Sequence, residues 1–550
     1  MANSLSKLFV CVACLAVARA PAQAIVIKPE ALHALNRITF GPTLPLLASL
    51  SLTPTSGPGP IDNYIDQQLA LSGVEDPRVP LLLAQLPAVP TTIEDLKREE
   101  FIRACFSTYQ LREVMTQFWE RHFSTFYLGL IGIVQSFGGT QADAVGVVAA
   151  ANQRFRANAL GKFEDLLLAN VDSKAMILYL SLWASQSAPN PPPPAPNLAP
   201  NEDLAREILE LHTLGPEENG VANYSHDDIE AFAECLAGWN VYRSGLAGFT
   251  LLQPNSTTVL SSPALLDRCF VADWHENNLP LFFQFNPNIT TDNLSLTTSS
   301  ASDIDARLVI AHLARMRQTK AFICRKLIRF FLADAAVEPA LLSQCVAAWG
   351  SNGGDIAAVL SVILKSAAFQ GATYRWQRLR MPMEYTCWVV RALDGTATTP
   401  SNVDGLIAAS DSMGQELHSY QTPEGFPTQS LRQPGSQIYL DAAKHALTRT
   451  ATPAPGIMIH DLPGMVINGI GTLIPGGNPD DPTHVANYFL RRLYVGNWTP
   501  DDLTRCRDLV AATILGTPAP LDHVNAPVDY AQRINLLAAL VLSLPQALKK

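Results

Sequence analysis

Residues 201–216 read NEDLAREILELHTLGP, and this stretch carries every local signal of one self-contained helix. Asn201, just after Pro200, is a good N-cap; Glu202 and Asp203 suit the positive end of the helix dipole; Gly215-Pro216 is a stop signal. At the helical period, Leu204, Ile208, Leu211 and Leu214 form an apolar face. On that wheel Glu207 falls between Leu211 and Leu214 and His212 beside Ile208, so both are expected to point inward, with Arg206 and Glu210 facing outward. A buried carboxylate is costly unless paired, and an acid whose pKa is raised by burial is a candidate proton donor.

The same period runs along much of the chain. LREVMTQFWERHFSTF (111–126) puts Leu111, Met115, Phe118 and His122 at i, i+4, i+7 and i+11, so a histidine sits on an apolar stripe. YSHDDIEAFAECLAGW (224–239) offers Ser225 as N-cap with Asp228 three residues on, then Ile229, Phe232, Leu236 and Trp239 on one face. TKAFICRKLIRFFL (319–332) and PMEYTCWVVRAL (382–393) read as further buried helices. With no strand–helix alternation and no glycine-rich phosphate loop, the expected class is mainly α: a large multi-helical domain with long irregular loops and short β insertions. The expected interruptions are a Pro-rich connector at 187–200, a Ser/Thr/Asn-rich insertion at 246–303 and a Gly/Pro-rich loop at 451–481.

Composition narrows the function classes. With 48% hydrophobic and 16% charged residues, the 550-residue chain can bury a large core. A formal charge of −10 without a concentrated basic segment argues against nucleic acid as a partner. Residues 1–24 combine Lys7, an apolar run from Leu8 to Ala18 and the small-x-small pattern Ala22-Gln23-Ala24, which reads as a cleaved signal peptide ahead of a helical domain at 25–550. The apolar run is shorter than the ~20 residues a spanning helix needs. The protein is therefore expected to be exported, periplasmic or extracellular, with no transmembrane span after cleavage. Seven cysteines follow that segment, dispersed and without a CxxC pair, so neither a zinc ribbon nor a redox motif is supported. Apolar neighbours, as in AFICRKLIRFF (321–331), favour buried free thiols, with one or two disulfides left open.

NEDLAREILELHTLG followed by YSHDDIEAFAECLAGW resembles the signature of the secreted bacterial family called domain of unknown function eighteen hundred. HALNRITFGPT (33–43), FWERHFST (118–125), RKLIRFF (325–331) and GFP (425–427) match it in order along nearly the whole chain. The resemblance implies a helical, exported protein, often encoded beside another exported family similar to sulfatases, a possible partner protein. It implies no activity. The family's usual tryptophan-histidine-x-histidine reads here Trp119-Glu120-Arg121-His122, which weakens any scheme that needs both histidines as metal ligands.

Three readings of these residues compete. The first is an extracytoplasmic hydrolase or lyase on envelope or environmental polysaccharide, with Glu207 as acid or base and His212 or His122 assisting. The second is a non-catalytic envelope protein in which Glu207 pairs with Arg325 or Arg329 and the histidines satisfy buried carbonyls. The third is a metal-binding protein using His122, Glu207, His212 and His275, although Glu207 and His212 do not share a helix face as an HExxH pair does. No metal ligand set and no cofactor is assigned. Asn201, Arg206, Trp239, His275, Arg325 and Arg329 are the candidate binding residues.

Overall fold

The computed structural model describes residues 25–550 except 54–57, 188–198, 242–267, 272–273, 286–291, 300–302, 351–352, 428–440 and 447–460. The expected signal peptide therefore lies outside the described residues, as do most of the Pro-rich connector and the first part of the Ser/Thr/Asn-rich insertion.

The architecture is mainly α, with three small antiparallel two-stranded pairings among the described residues. The predicted helices form at Gln110–His122, His226–Leu236, Arg317–Phe331 and Pro382–Ala392. The expected capping box is present: Asp228 accepts from the Ser225 backbone N–H at 2.8 Å, and Ser225 Oγ accepts from the Asp228 N–H at 3.2 Å. The other Asp228 oxygen accepts from the Gln284 N–H at 2.7 Å, tying this helix start to the neighbouring Pro280–Phe283 strand.

Three expectations need correction. Trp239 is not on the 226–236 helix but opens the strand Trp239–Val241, paired with Arg268–Phe270. The helix stops because Gly238 adopts φ +85°, a conformation an L side chain resists, and a methyl there would meet the Val271 carbonyl at 2.8 Å. Within 451–481 the region is not all loop: Leu462–Leu473 is a helix, capped by Asp461 Oδ1 on the Gly464 N–H at 2.7 Å and buried through Leu462, Val466, Ile470 and Leu473. Its apolar spacing outweighs its Gly and Pro content. Third, the stretch 201–216 is not one α-helix but changes to a wider turn partway along.

Among the described residues, buried apolar side chains form two clusters, one drawn mainly from helices between residues 31 and 426 and one from residues 385 to 548. The Pro382–Ala392 helix stands between them and is buried on every face. Met383, Cys387 and Val390 enter the first cluster, while Tyr385, Trp388 and Val389 enter the second. Two of its polar side chains bond to neighbouring elements. Arg391 donates to the Gly41 and Cys105 carbonyls, both at 2.7 Å, and Tyr385 Oη donates to the Leu542 carbonyl at 3.0 Å. All seven cysteines after residue 24 are buried. Among the described residues no helix is long and apolar enough to cross a membrane.

Candidate functional site

The motif helix starts one residue later than expected, at Asp203, with Asn201 still serving it: Asn201 Oδ1 accepts from the Asp203 N–H at 2.8 Å. It is α-helical only over Asp203–Glu207 and continues as a wider π-turn over Ile208–Thr213. The Leu214 N–H reaches back five residues to the Leu209 carbonyl at 2.9 Å, and Thr213 Oγ1 does the same to Ile208 at 2.6 Å. The extra residue in the turn rotates the end of the helix, so His212 is completely buried while Leu211 is only half-buried. Gly215, at φ +74°, ends the helix with Phe322 packed over it, and Asn223 Nδ2 donates to the Leu214 and Gly215 carbonyls at 3.0 and 3.1 Å.

Glu207 is half-buried, not fully inward, and forms no ion pair or hydrogen bond among the described residues. Neither of its expected partners reaches it. Arg325 lies 3.8 Å from Glu218, and Arg329 is exposed. Its neighbours are mostly acids. Partial burial, followed by the carboxylates of Glu210 and Asp203, raises its pKa to about 7, against a weaker pull from Arg206. Arg206 is turned toward Glu202, at 2.9 Å. Two phenols share this field: Tyr224 Oη donates to Glu210 at 2.9 Å and Tyr179 Oη to the Gln421 carbonyl at 2.7 Å. The predicted GFP segment closes in from another direction, with Gly425 pressed against the Arg121 backbone.

His122 and His212 do come together, their ring centroids 5.8 Å apart, but no contact joins either to Glu207. Pro216 has no N–H to offer the His212 carbonyl four residues back, and His122 Nε2 donates to that carbonyl instead, at 3.2 Å. His122 Nδ1 then accepts from the Lys326 ammonium at 2.8 Å, and Asn170 Nδ2 lies 3.4 Å from His212 Nδ1. Burial and the Lys326 charge lower His212 to about 3 and His122 well below its ordinary range. Burial also lowers Lys326, to about 8. Both imidazoles are thus neutral and held in place, and a cation occupies the position a metal would need at His122.

The remaining candidates scatter. His275 is buried elsewhere, with Nδ1 donating to the Ala237 carbonyl at 2.9 Å and Nε2 2.9 Å from Asp305, so His122, Glu207, His212 and His275 do not converge on one ion. Trp239 is buried beneath Arg268, whose guanidinium lies 4.3 Å from the ring centroid.

Two groups escaped the sequence reading. His418, at φ +62°, lies between Glu100 (2.7 Å) and Glu120 (2.8 Å), with Asn152 bridging the two carboxylates. Burial would lower its pKa, but the two carboxylates lift it to about 10. Glu120 is the residue standing where the resembled pattern has its first histidine, and only the fold could reveal that its partner is a histidine almost 300 positions away. Glu202, His226 and Glu230 bring three possible metal-ligand atoms within 4.8 Å of one another at the protein surface, where Glu202 is also engaged by Arg206. The i, i+4 spacing of His226 and Glu230 was a readable signal.

Neither a curated protein nor a solved structure matches the chain. A family match spans residues 33–548, taking in the motif helix, both histidines, Lys326 and the His418 cluster. On that match the chain belongs to the family described as protein of unknown function (DUF1800).

Proposed function

We propose that this protein is an exported enzyme, a hydrolase or lyase acting on polysaccharide of the cell envelope or surroundings, with Glu207 as its proton-transfer residue. The observation that carries the reading is the state of Glu207: half-exposed, without a cation partner, and held near pH 7 by burial and two neighbouring acids. A structural carboxylate is normally paired, whereas a general acid–base catalyst works best with a pKa close to its operating pH. Protonated Glu207 can give its proton to a departing glycosidic oxygen; once ionised, it can take one back from water. Tyr179 and Tyr224 hold the rim around it through hydrogen bonds to a carbonyl and to Glu210. His122 and His212 act as positioning residues, since the neutral imidazole of His122 fixes the carbonyl that the π-turn leaves open. They take no part in proton transfer in this reading.

The test is release of new chain ends from a panel of acidic and neutral polysaccharides. Activity is expected to titrate with an apparent pKa near 7 and to disappear in Glu207→Gln. A panel giving no product with the parent protein, together with a Glu207→Gln variant that fails to fold, would return Glu207 to a purely structural role.

A further inference from the structure

A cavity of about 280 Å³ opens beside the Lys174–Tyr179 helix, lined by Val147, Ala150, Ala151 and Arg154 from one face of the helix Gln141–Asn158 and by Lys174 and Arg268. Asp172 and Ser173 complete it. The cationic lining is built, not incidental. Arg154 donates to the Asp172 carbonyl and carboxylate at 3.2 and 3.3 Å, and Arg268 Nε approaches the same carboxylate at 2.6 Å. Arg307 lies 3.7 Å from Asp172 and 2.9 Å from Asp303, which also pairs with Arg268. Three guanidiniums thus meet two carboxylates among the described residues. Trp239 backs the group, its ring 4.3 Å from the Arg268 guanidinium and 5.5 Å from that of Arg307. Small ligand pockets run from ~300 Å³ upward, so this one suits a single sugar-sized group.

We propose that this cavity is a subsite for an anionic sugar residue, the carboxylate of a uronic acid or a sulfate ester. The charged group faces Arg154, Lys174 and Arg268, and the C–H face of the ring lies on Val147, Ala150 and Ala151. Arginine forks fit planar or tetrahedral oxyanions, while the small apolar wall explains why a sugar-borne anion is favoured over a bare inorganic one. Lys174 and Tyr179 stand at the two ends of one short helix, ~8 Å of backbone rise apart, so the subsite and the phenol that shares the Glu207 field are carried by the same element. The inference rests on the proposed polysaccharide activity for its link to Glu207, making acidic polymers the substrate class.

Binding is measured by calorimetry on the full chain lacking residues 1–24, with a uronic acid oligosaccharide, a sulfated one and a neutral one of equal length. The acidic ligands are expected to bind more tightly than the neutral one and to weaken with added salt. Arg154→Gln is expected to lose about 10-fold in affinity and Arg154→Lys less. Lys174→Gln gives an independent second variant if Arg154→Gln folds poorly. Whether uronate or sulfate binds more tightly identifies the anion. Equal affinity for acidic and neutral ligands, or unchanged affinity in both Arg154→Gln and Lys174→Gln, overturns the subsite. Acid-selective binding without any turnover keeps the subsite and defeats the enzymatic reading; turnover confined to neutral polymers does the reverse.

Discussion

Glu207 and Glu384 are the same residue type in opposite circumstances. Glu384, in the first turn of the helix between the two cores, is buried. It accepts from the Met381 N–H at 3.0 Å and pairs with the Lys550 ammonium at 2.7 Å. Burial alone would raise its pKa, but Lys550 and the Arg378 guanidinium pull it down to about 2. Glu207 is less buried yet is pushed up to about 7 by that partial burial, with the Glu210 and Asp203 carboxylates adding to it and no close cation opposing it, its arginine neighbour being turned to Glu202. Burial raises both glutamates; whether cations are packed beside them decides which one stays charged. A paired carboxylate serves the fold, and an unpaired one is free to exchange its proton.

The largest expected effect tests the Glu384 half of the contrast. Glu384→Gln leaves Lys550 and Arg378 as uncompensated buried cations and is expected to cost ~3–5 kcal/mol in a denaturant melt. A loss below ~1 kcal/mol would mean that the cluster is solvated and the contrast false.

Next comes Glu207→Gln, which removes no ion pair. It is expected to cause no loss of stability while lowering polysaccharide turnover by ~100-fold or more. A severe loss of stability would make the two glutamates alike after all.

The two residues should also respond to pH with opposite signs. The stability Glu384 contributes is present above its unfolded pKa of ~4.3 and is lost as the pH falls from there toward about 2. For Glu207 the native pKa is raised, so the native state holds more protons between ~4.3 and about 7, and stability falls as the pH rises through that window. Measured from pH 4 to 8, the Glu207→Gln variant should therefore gain on the parent up to about pH 7 and then run parallel to it. A difference flat across the whole range would mark Glu207 as an ordinary surface acid.

The smallest effect sharpens the picture of the rim. Tyr224→Phe removes one partly buried hydrogen bond to Glu210 and is expected to cost ~0.5–1.5 kcal/mol. Any accompanying shift in the pH midpoint of activity would show that Glu210 and Glu207 are coupled.

Much of this arrangement was legible from local signals. The capping box at Ser225 and Asp228, the buried helices at 317–331 and 382–392, and the apolar stripe carrying His122 all come from spacing of a few residues. The π-turn was not legible, since Thr213 and the missing N–H of Pro216 reveal it only when His122 arrives from another helix to take the His212 carbonyl. Trp239 was misplaced because its apolar phase fits the helix, while Gly238 sets a backbone conformation that ends it. Glycine and proline counts hid the Leu462–Leu473 helix, whose apolar phase was nevertheless present.

By itself the sequence determined the mainly α class, the helix starts marked by capping residues and the identity of Glu207 and His212 as misfits on an apolar helix, because these depend on periodicity and on chemistry within a turn or two. Only the tertiary structure decided their fates. His212 found Asn170 and the neighbourhood of Lys326, His418 found Glu100 and Glu120, and Glu384 found Lys550, while Glu207 was left among acids. Charge state depends on partners brought together by packing, often from hundreds of residues away, and no pattern within a helix specifies which partners those are.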